Sequence, residues 1–599
     1  MIPRARWRFS INIHSNGICD EPLIFFDQES VQAHWATEWP GYPIHPDVTG
    51  WLHIKRSSLA RIMPCSPTLA IKMWALTSLL LAGVARAAIP NLMLRGMQSL
   101  PKIPVPERSI TSPNGTALPN ITTTYYFDQL IDHNNPDLGT FQQRYWMNWE
   151  FYEPGGPVIL MTPGEINADG FEVFITNDSI NGLIAQQQNG AAILIEHRFF
   201  GDSNPYDNLT SQSLSLLTIQ QAIDDLVYFA TTADLPMSGG DAVKPGQAPW
   251  ILVGGSYSGA LSSYTMVNKP GIFWAGYLSS ATVETITDYY DYFTPIREYM
   301  PQNCSSDVQA VIAYLDKMYM ANDTAGIQTL QEAFALGGLN HVGDFATAQR
   351  PPALPLILAK SLIQYNLWDW QSLSPDDGPG SMFYQFCDAL EVKDGVNAGP
   401  DGWGLENAIN SWGDFWNTTY YSYTCQDKDV ETCLGTFDPT ITYWTNITVD
   451  NAARSWFWMV CNQIGFYQVG PPEGQPAIVS RIIQPSFVER QCVNMFPQAF
   501  ASPPDTPTAK TNAMYAGWNV NIPRIFLANG LRDPWRGGTV SADGLNKPNT
   551  TSMPIYMSDG FHTSDMITDN GVIDPTIAVV QKAGLMYMKE WLAEWKPST

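Results

Sequence analysis

The stretch WILVGGSYSGALS, residues 250–262, joins an apolar run to a cluster of glycine and serine. Its first half is the kind of continuous aliphatic run that forms a strand buried on both faces of a parallel sheet, and a helix is plausible after it. Gly254 and Ser258 stand two positions before and after Ser256, where a tight strand-to-helix turn has room only for small side chains. The stretch therefore predicts a nucleophile elbow with Ser256 at its apex. A plain glycine–serine turn is the alternative.

Similar patterns lie on both sides of this turn. Short aliphatic runs that end in turn residues predict further buried strands at 157–162 and 191–196, and the strand pattern resumes at 522–530 and 553–560. The apolar spacing predicts amphipathic helices at 217–233 and 575–595. Strands that alternate with helices indicate an α/β sheet.

The alternation stops between about 285 and 515, where the chain becomes irregular and rich in tryptophan, glycine, proline and cysteine. We therefore expect a sheet that is interrupted by an insertion. The first part of the core is expected at 88–284, the insertion at 285–515 and the second part of the core at 516–599.

The charge and the motifs exclude several partners. The formal net charge is −25, and nucleic-acid binding needs clustered Lys and Arg at the phosphates, so we expect no nucleic acid. The chain contains no His-Glu-x-x-His, no Cys-x-x-Cys and no phosphate- or dinucleotide-binding loop. We expect no metal and no other cofactor, and the sequence leaves the oligomeric state open.

The first 87 residues have the pattern of a secretory signal. An apolar run at 74–84, too short to span a bilayer, precedes the small-x-small cleavage pattern Ala85-Arg86-Ala87. Because a signal peptide lies within about 30 residues of the chain start, we expect translation to begin at Met63 or Met73. A genuine N-terminal extension is the alternative. No other stretch predicts a membrane span, and we expect a secreted protein, with the vacuole or lysosome as the alternative.

Two features of the remaining chain fit the secretory route. The candidate N-glycosylation sequons are at Asn114, Asn120, Asn177, Asn208, Asn303, Asn322, Asn417, Asn446 and Asn549. The cysteines beyond residue 87 are even in number and spaced unlike a zinc site, which indicates disulfides. The short loop between Cys425 and Cys433 favours a local pair, and the simplest remainder is then Cys304–Cys387 and Cys461–Cys492.

A serine nucleophile needs a histidine that takes its proton. In α/β-hydrolases this histidine follows the serine in the chain, and only His341 and His562 follow Ser256. His562 comes directly after an aliphatic run and before the last helix, where the histidine loop of this fold belongs. His341 follows no strand, so we assign it to the surface of the insertion.

The histidine in turn needs an acid that orients it, and this acid precedes it in the chain. Asp533 follows the predicted strand at 524–528 and leaves room for one helix and one strand before His562. Asp559 and Asp565 are too close in sequence to His562 to reach round its ring. Order and context therefore predict Asp533 as the acid.

Four motifs resemble those of a known family. They are GGSYSGAL at the elbow, ILIEHRFFGDSNP at 193–205, NGLRDPWRGG at 529–538 and GFHTSD at 560–565. From about Tyr126 to the C-terminus the chain resembles the prolyl peptidases of the serine carboxypeptidase S28 family. This family contains lysosomal Pro-X carboxypeptidase, dipeptidyl peptidase II and secreted fungal acid prolyl endopeptidases, and the stretch 145–172 is most similar to the fungal enzymes.

The resemblance implies a fold, an activity and residue roles. The fold is an α/β-hydrolase core whose insertion forms a helical, disulfide-bonded cap over the active site, and the activity is cleavage after proline without a metal. The resemblance assigns catalysis to Ser256, Asp533 and His562. It also implies that Trp535 lines the proline pocket and that Phe466 forms the facing wall.

Two departures and three further candidates complete the expected site. Thr563 stands where the family commonly has a cysteine. Gln463 stands where glutamate is usual, which puts any recognition of a substrate amine by residue 463 in doubt.

One oxyanion donor is expected from the Tyr257 N–H at the start of the helix. The second is expected from Gly164 or Glu165, at the end of the first strand, because this fold supplies it there.

Two other groups of residues have a structural interpretation. We expect Glu196-His197-Arg198, which follows a strand but precedes the elbow, to form a polar network beneath the active site. The tryptophans of 368–458 are expected to fill the core of the cap.

The sequence thus predicts a secreted serine peptidase that acts on proline-containing peptides or proteins. A dipeptidyl, tripeptidyl or Pro-X carboxypeptidase of the same family is the first alternative. An esterase or lipase would use the same triad, and a catalytically inactive binding protein would keep the fold.

Overall fold

The computed structural model describes residues 100–598, apart from 102, 107, 349–366, 422–424, 426 and 427. The expected signal segment and the alternative starts at Met63 and Met73 lie outside the described residues. Among the described residues, no helix has the length and apolar character needed to cross a bilayer.

The strands form one large sheet and two small ones. In chain order they are β1 (Tyr125–Leu130), β2 (Thr140–Asn148), β3 (Val158–Met161), β4 (Ala191–Ile195), β5 (Trp250–Gly255), β6 (Ala275–Ser279), β7 (Ile286–Asp288), β8 (Val392–Lys393), β9 (Val396–Asn397), β10 (Gly465–Tyr467), β11 (Ile525–Gly530) and β12 (Ile555–Ser558). The large sheet has eight strands in the order β1-β2-β4-β3-β5-β6-β11-β12. β2 runs antiparallel to both of its neighbours, and the six strands β4, β3, β5, β6, β11 and β12 are parallel to one another. This order, with its antiparallel second strand, is that of an α/β-hydrolase fold.

Helices cover both faces of the sheet. Val158 and Leu160 of β3 pack in the same apolar core as Ile219–Thr232 and Ser256–Asn268, while the alternate residues Ile159 and Met161 belong to a second core with Ile180–Gln188 and Pro575–Glu594. Because successive side chains of a strand point to opposite faces, a continuous aliphatic run such as VILM supplies both cores at once.

The chain leaves the large sheet after β6 and returns at β11, which is the parallel neighbour of β6. The segment between them carries most of the remaining helices: Phe293–Tyr299, Gln302–Met320, Thr324–Ala333, Val342–Ala348, Met382–Glu391, Leu405–Phe415, Val430–Leu434, Thr442–Thr445, Ala452–Met459, Pro485–Met495 and Thr508–Tyr515. The boundaries 285 and 515 stay a prediction.

The tryptophans of this cap are mainly buried, as predicted. Trp368, Trp370, Trp412, Trp416, Trp444, Trp456 and Trp458 belong to its apolar core. Trp403 differs, since its side chain is 39% exposed.

All six cysteines beyond residue 87 are paired, and the predicted connectivity is confirmed. The bonds are Cys304–Cys387, Cys425–Cys433 and Cys461–Cys492. Each joins residues within the cap.

Three strands of the large sheet were not identified from sequence. β1 and β2 carry polar residues in place of a continuous aliphatic run, because they form the antiparallel edge of the sheet. β6, with the sequence AGYLS, contains two small residues and a serine in place of a continuous aliphatic run.

Candidate active site

The elbow forms where β5 ends at Gly255 and a helix begins at Ser256. Ser256 has a φ of 61°, a left-handed conformation that is uncommon for a residue with a side chain. A Cβ atom on Gly254 would lie 2.3 Å from the Ser258 carbonyl oxygen, so only glycine fits there. A Cβ atom on Gly259 would lie 2.9 Å from the Gly254 carbonyl oxygen, a restriction that the sequence analysis missed. The predicted elbow is therefore present.

Ser256, His562 and Asp533 lie in one hydrogen-bonded line. They follow β5, β12 and β11, and the carboxyl ends of these parallel strands meet at one edge of the sheet. His562 Nδ1 lies 2.8 Å from Asp533 Oδ1, and His562 Nε2 lies 2.8 Å from Ser256 Oγ. Because an ionised carboxylate only accepts, Nδ1 donates and Nε2 accepts from the serine hydroxyl. An imidazole in this tautomer is oriented to remove the serine proton.

The other candidate acids and bases lie elsewhere. The exposed His341 stacks on Phe437, with 3.7 Å between the ring centroids. Asp565 accepts hydrogen bonds from Tyr277 Oη at 2.8 Å and from Ser279 Oγ at 2.6 Å, and burial raises the pKa of its carboxyl. Asp559 is exposed. Asp565 interacts electrostatically with Asp533, but the carboxylate that contacts His562 Nδ1 is that of Asp533.

The candidate oxyanion residues lie beside Ser256. Tyr257 is the second residue of the helix, where backbone N–H groups have no partner within the helix. A Cβ atom on Gly164 would lie 3.7 Å from Tyr257 Cδ1, so the loop after β3 packs against the elbow. The Gly164 N–H donates to Thr162 Oγ1 at 3.3 Å, and the next residue, Glu165, is buried. Their role in binding an oxyanion stays a prediction.

A buried histidine holds the Tyr257 side chain. His197 Nδ1 donates to the Arg198 carbonyl oxygen at 2.8 Å, so His197 Nε2 accepts from Tyr257 Oη at 3.1 Å. Burial lowers the pKa of His197 from 6.5 to about 4, and the ring is therefore neutral at pH 7. Trp456 of the cap packs edge-on against Tyr257, with 5.4 Å between the ring centroids.

The neighbouring residues form the predicted polar network. The buried Glu196 carboxylate accepts two hydrogen bonds from Arg144, at 2.9 and 2.6 Å, and one from Ser203 Oγ at 2.6 Å. Arg198 donates to both carboxylate oxygens of Asp225, at 2.6 and 2.5 Å. These pairs satisfy charges that burial would otherwise destabilise, so they support the core beneath the elbow.

An aromatic cluster adjoins the hydrogen-bonded line of Ser256, His562 and Asp533. The fully buried Trp535 stacks on Tyr289 at 5.5 Å, and Tyr292 and Phe466 meet it edge-on at 5.2 and 5.4 Å. The Trp535 and His562 ring centroids are 6.4 Å apart. The ring planes of Trp535 and Phe466 lie at 87° to each other, so the two rings form adjoining walls and not the facing walls that we expected. Phe466 reaches this position with a φ of 59°, a strained conformation for a bulky residue.

The two departures from the family pattern have structural explanations. Gln463 Oε1 accepts from the Ile219 N–H at 2.8 Å, at the first turn of a core helix. Thr563 is buried with a φ of 53°, and its N–H donates to Ser280 Oγ at 3.0 Å. Both residues thus have structural contacts within the chain.

The sequon asparagines are accessible. All nine are half-buried or exposed. This is compatible with glycosylation, which stays a prediction.

A family model described as serine carboxypeptidase S28 matches residues 129–582. The protein called serine protease vicPa, from Bipolaris victoriae (strain FI3), is 31% identical over 492 residues, which cover 78% of this chain and 88% of that protein. A probable extracellular serine carboxypeptidase from Arthroderma benhamiae is 29% identical over 487 residues, which cover 76% of this chain and 64% of that protein. Lysosomal Pro-X carboxypeptidase from Mus musculus is 24% identical over 546 residues, which cover 87% of this chain and 98% of that protein. The family match extends over the elbow, the cap and both loops that carry Asp533 and His562.

Proposed function

The chain belongs to the serine carboxypeptidase S28 family, and on that premise we propose that it cleaves peptide bonds on the carboxyl side of proline. Membership of this family makes the protein a serine peptidase, which is a hydrolase. The proposal of proline specificity is carried by one observation. An aromatic cluster around Trp535 lies beside the hydrogen-bonded line of Ser256, His562 and Asp533, with 6.4 Å between the Trp535 and His562 ring centroids.

The proposed reaction proceeds through an acyl-enzyme. Ser256 Oγ attacks the carbonyl carbon of the proline residue while His562 Nε2 takes the hydroxyl proton. The Tyr257 N–H and a second N–H from the loop after β3 stabilise the resulting oxyanion. His562 then protonates the leaving amine as the C–N bond breaks. A water molecule gives a proton to His562 as it attacks the ester carbonyl, and His562 returns that proton to Ser256 Oγ when the ester bond breaks. Asp533 orients the imidazole and stabilises its cation throughout.

The aromatic cluster suits a proline ring. Proline is a compact apolar ring without a backbone N–H, so a pocket recognises it by shape and stacking instead of a hydrogen bond to its nitrogen. The ring planes of Trp535 and Phe466 meet at 87°. Trp535 is fully buried and Phe466 is 5% exposed, so a proline ring reaches these surfaces only when the surrounding side chains move apart.

An endopeptidase is the first candidate, because of the resemblance to fungal prolyl endopeptidases. A carboxypeptidase is the second, because two relatives are named as carboxypeptidases. Dipeptidyl or tripeptidyl activity requires recognition of a substrate amine, and Gln463, which replaces the usual glutamate, already accepts a hydrogen bond from Ile219.

Matched peptides test the proposal. An internal Pro-X bond should be cleaved in a peptide blocked at both ends, and its Ala-X counterpart should be cleaved more slowly. Cleavage only when the C-terminus is free would favour the carboxypeptidase, and cleavage only when the N-terminus is free would favour an amino-terminal exopeptidase. Hydrolysis of simple esters without hydrolysis of any peptide would contradict a peptidase.

We also propose that the protein is secreted. The three disulfides and the accessible sequons support this, together with a relative that is named extracellular. N-terminal sequencing and intact mass should give a native chain that starts near Ala88 and carries N-glycans. A native chain that contains Cys19 would contradict the proposed processing.

A further inference from the structure

One glutamine of the cap accepts hydrogen bonds from two rings of the aromatic cluster. Gln371 Oε1 accepts from Trp535 Nε1 at 2.9 Å and from Tyr292 Oη at 2.9 Å. An indole N–H can only donate, so the atom that faces it is the amide oxygen and not the amide nitrogen. With two lone pairs, this oxygen satisfies both donors.

This contact fixes the indole in a way that its ring contacts do not. Trp535 is fully buried among Tyr289, Tyr292 and Phe466. The stacked and edge-on contacts restrict the plane of the indole. A hydrogen bond weakens steeply when its angle departs from linear, so the Gln371 oxygen restricts in addition the direction of the indole N–H.

The backbone that carries Gln371 is held against both catalytic loops. Gln371 lies in the 3-10 helix Trp368–Ser372. Within it, Trp370 Nε1 donates at 2.7 Å to the carbonyl oxygen of Arg532, the residue before Asp533. The Trp370 ring also packs edge-on against Phe561, the residue before His562, with 5.2 Å between the centroids. Contacts of the neighbouring Trp370 thus hold Gln371 close to the loops that carry Asp533 and His562.

We propose that Gln371 is a positioning residue: its side-chain oxygen holds the Trp535 indole in the orientation that recognises proline. The inference rests on the proposed proline specificity. It assigns the cap a part in substrate selection, through a residue that touches the pocket wall and not the reacting atoms.

Substitution of Gln371 tests this. Gln371→Met keeps the length of the side chain and removes the acceptor, and we expect the ratio of kcat/KM for matched Pro and Ala peptides to fall about tenfold. Gln371→Glu retains an acceptor oxygen and should stay within about threefold of the wild-type ratio. Ser256 should react with a small fluorophosphonate at the wild-type rate in both variants, because the triad is unchanged.

Gln331→Met is the matched control. Gln331 is a buried glutamine of the cap, whereas Gln371 is half-buried. Gln331 Nε2 donates to the Leu339 carbonyl oxygen at 3.3 Å, away from the aromatic cluster. This variant can lower the melting temperature, but the Pro/Ala ratio should not change.

The outcomes separate the inference from the proposed function. A wild-type enzyme without preference for proline would contradict the proposed function itself. A wild-type preference that Gln371→Met leaves unchanged would contradict only the role of Gln371. An equal fall in Pro cleavage, Ala cleavage and fluorophosphonate labelling in Gln371→Met would also contradict it, because that result indicates general support of the fold.

Discussion

The Trp535 backbone N–H donates to Asp533 Oδ1 at 2.8 Å, and the same oxygen accepts from His562 Nδ1. One short turn after β11 therefore carries both the acid of the proposed triad and the central ring of the aromatic cluster. Because the contact uses the backbone of Trp535, its side chain can be replaced without removing the hydrogen bond to Asp533.

Trp535→Ala should separate specificity from reactivity. Loss of the indole removes an apolar wall, and apolar pockets discriminate by about 10- to 200-fold per methylene-sized group. We expect the Pro/Ala ratio of kcat/KM to fall by about 10- to 100-fold, with fluorophosphonate labelling of Ser256 retained. Trp403→Ala, which removes an exposed cap tryptophan, is the control and should leave the ratio unchanged. An unaltered ratio in Trp535→Ala would mean that Trp535 does not recognise proline.

Removal of a triad member should abolish most activity. Ser256→Ala and His562→Ala should lower kcat by several orders of magnitude and leave a residual rate about 10³- to 10⁴-fold above water. Asp533→Asn should lower kcat about 10⁴-fold, because the amide favours the wrong imidazole tautomer. His341→Ala is the control, since His341 stacks on Phe437 in the cap. If His341→Ala were inactive and His562→Ala active, the assignment of the base would be wrong.

His197 should make stability depend on pH. Burial lowers its pKa from 6.5 to about 4 in the folded protein, so between these values the unfolded chain binds more protons than the folded one. The free energy of unfolding therefore falls as the pH falls through this window. We expect wild type to lose about 3 kcal/mol more than His197→Gln between pH 7 and pH 4. Chemical denaturation at a series of pH values measures the free energy of unfolding of both proteins. If it changed with pH equally in wild type and in His197→Gln, His197 would not contribute to the pH dependence.

The disulfides should differ in their contribution to stability. Cys304–Cys387 closes a loop with a sequence separation of 83, and Cys425–Cys433 one with a separation of 8. A bond that closes a longer loop restricts the unfolded chain more, so replacing the first pair by alanine should destabilise by about 2 kcal/mol more than replacing the second. Denaturation midpoints of the two double variants test this order. A larger loss for the Cys425–Cys433 pair would contradict the entropic explanation.

The elements predicted well from sequence are those whose evidence is local. The aliphatic runs of β3, β4, β5 and β11 are visible because strands buried on both faces need apolar residues at every position. β12 was also predicted, but it is an edge strand whose first three residues are half-buried or exposed. Ser256, Asp533 and His562 were predicted because each follows a predicted strand, and parallel strands place their carboxyl ends at one edge. β1 and β2 were not predicted, because this antiparallel pair carries polar residues that interrupt the aliphatic pattern.

The sequence by itself determined the elbow, the chain order of the triad and the presence of disulfides, since each depends on residues close together or on their order along the chain. Only the tertiary structure decided that Trp535 and Phe466 meet at a right angle, and that Gln371, 164 residues before Trp535, accepts its indole N–H. The physical reason is that local sequence restricts backbone conformation, whereas contacts across the cap depend on how the whole insertion packs. A glutamine in a cap has no distinguishing pattern until the ring that donates to it is in place.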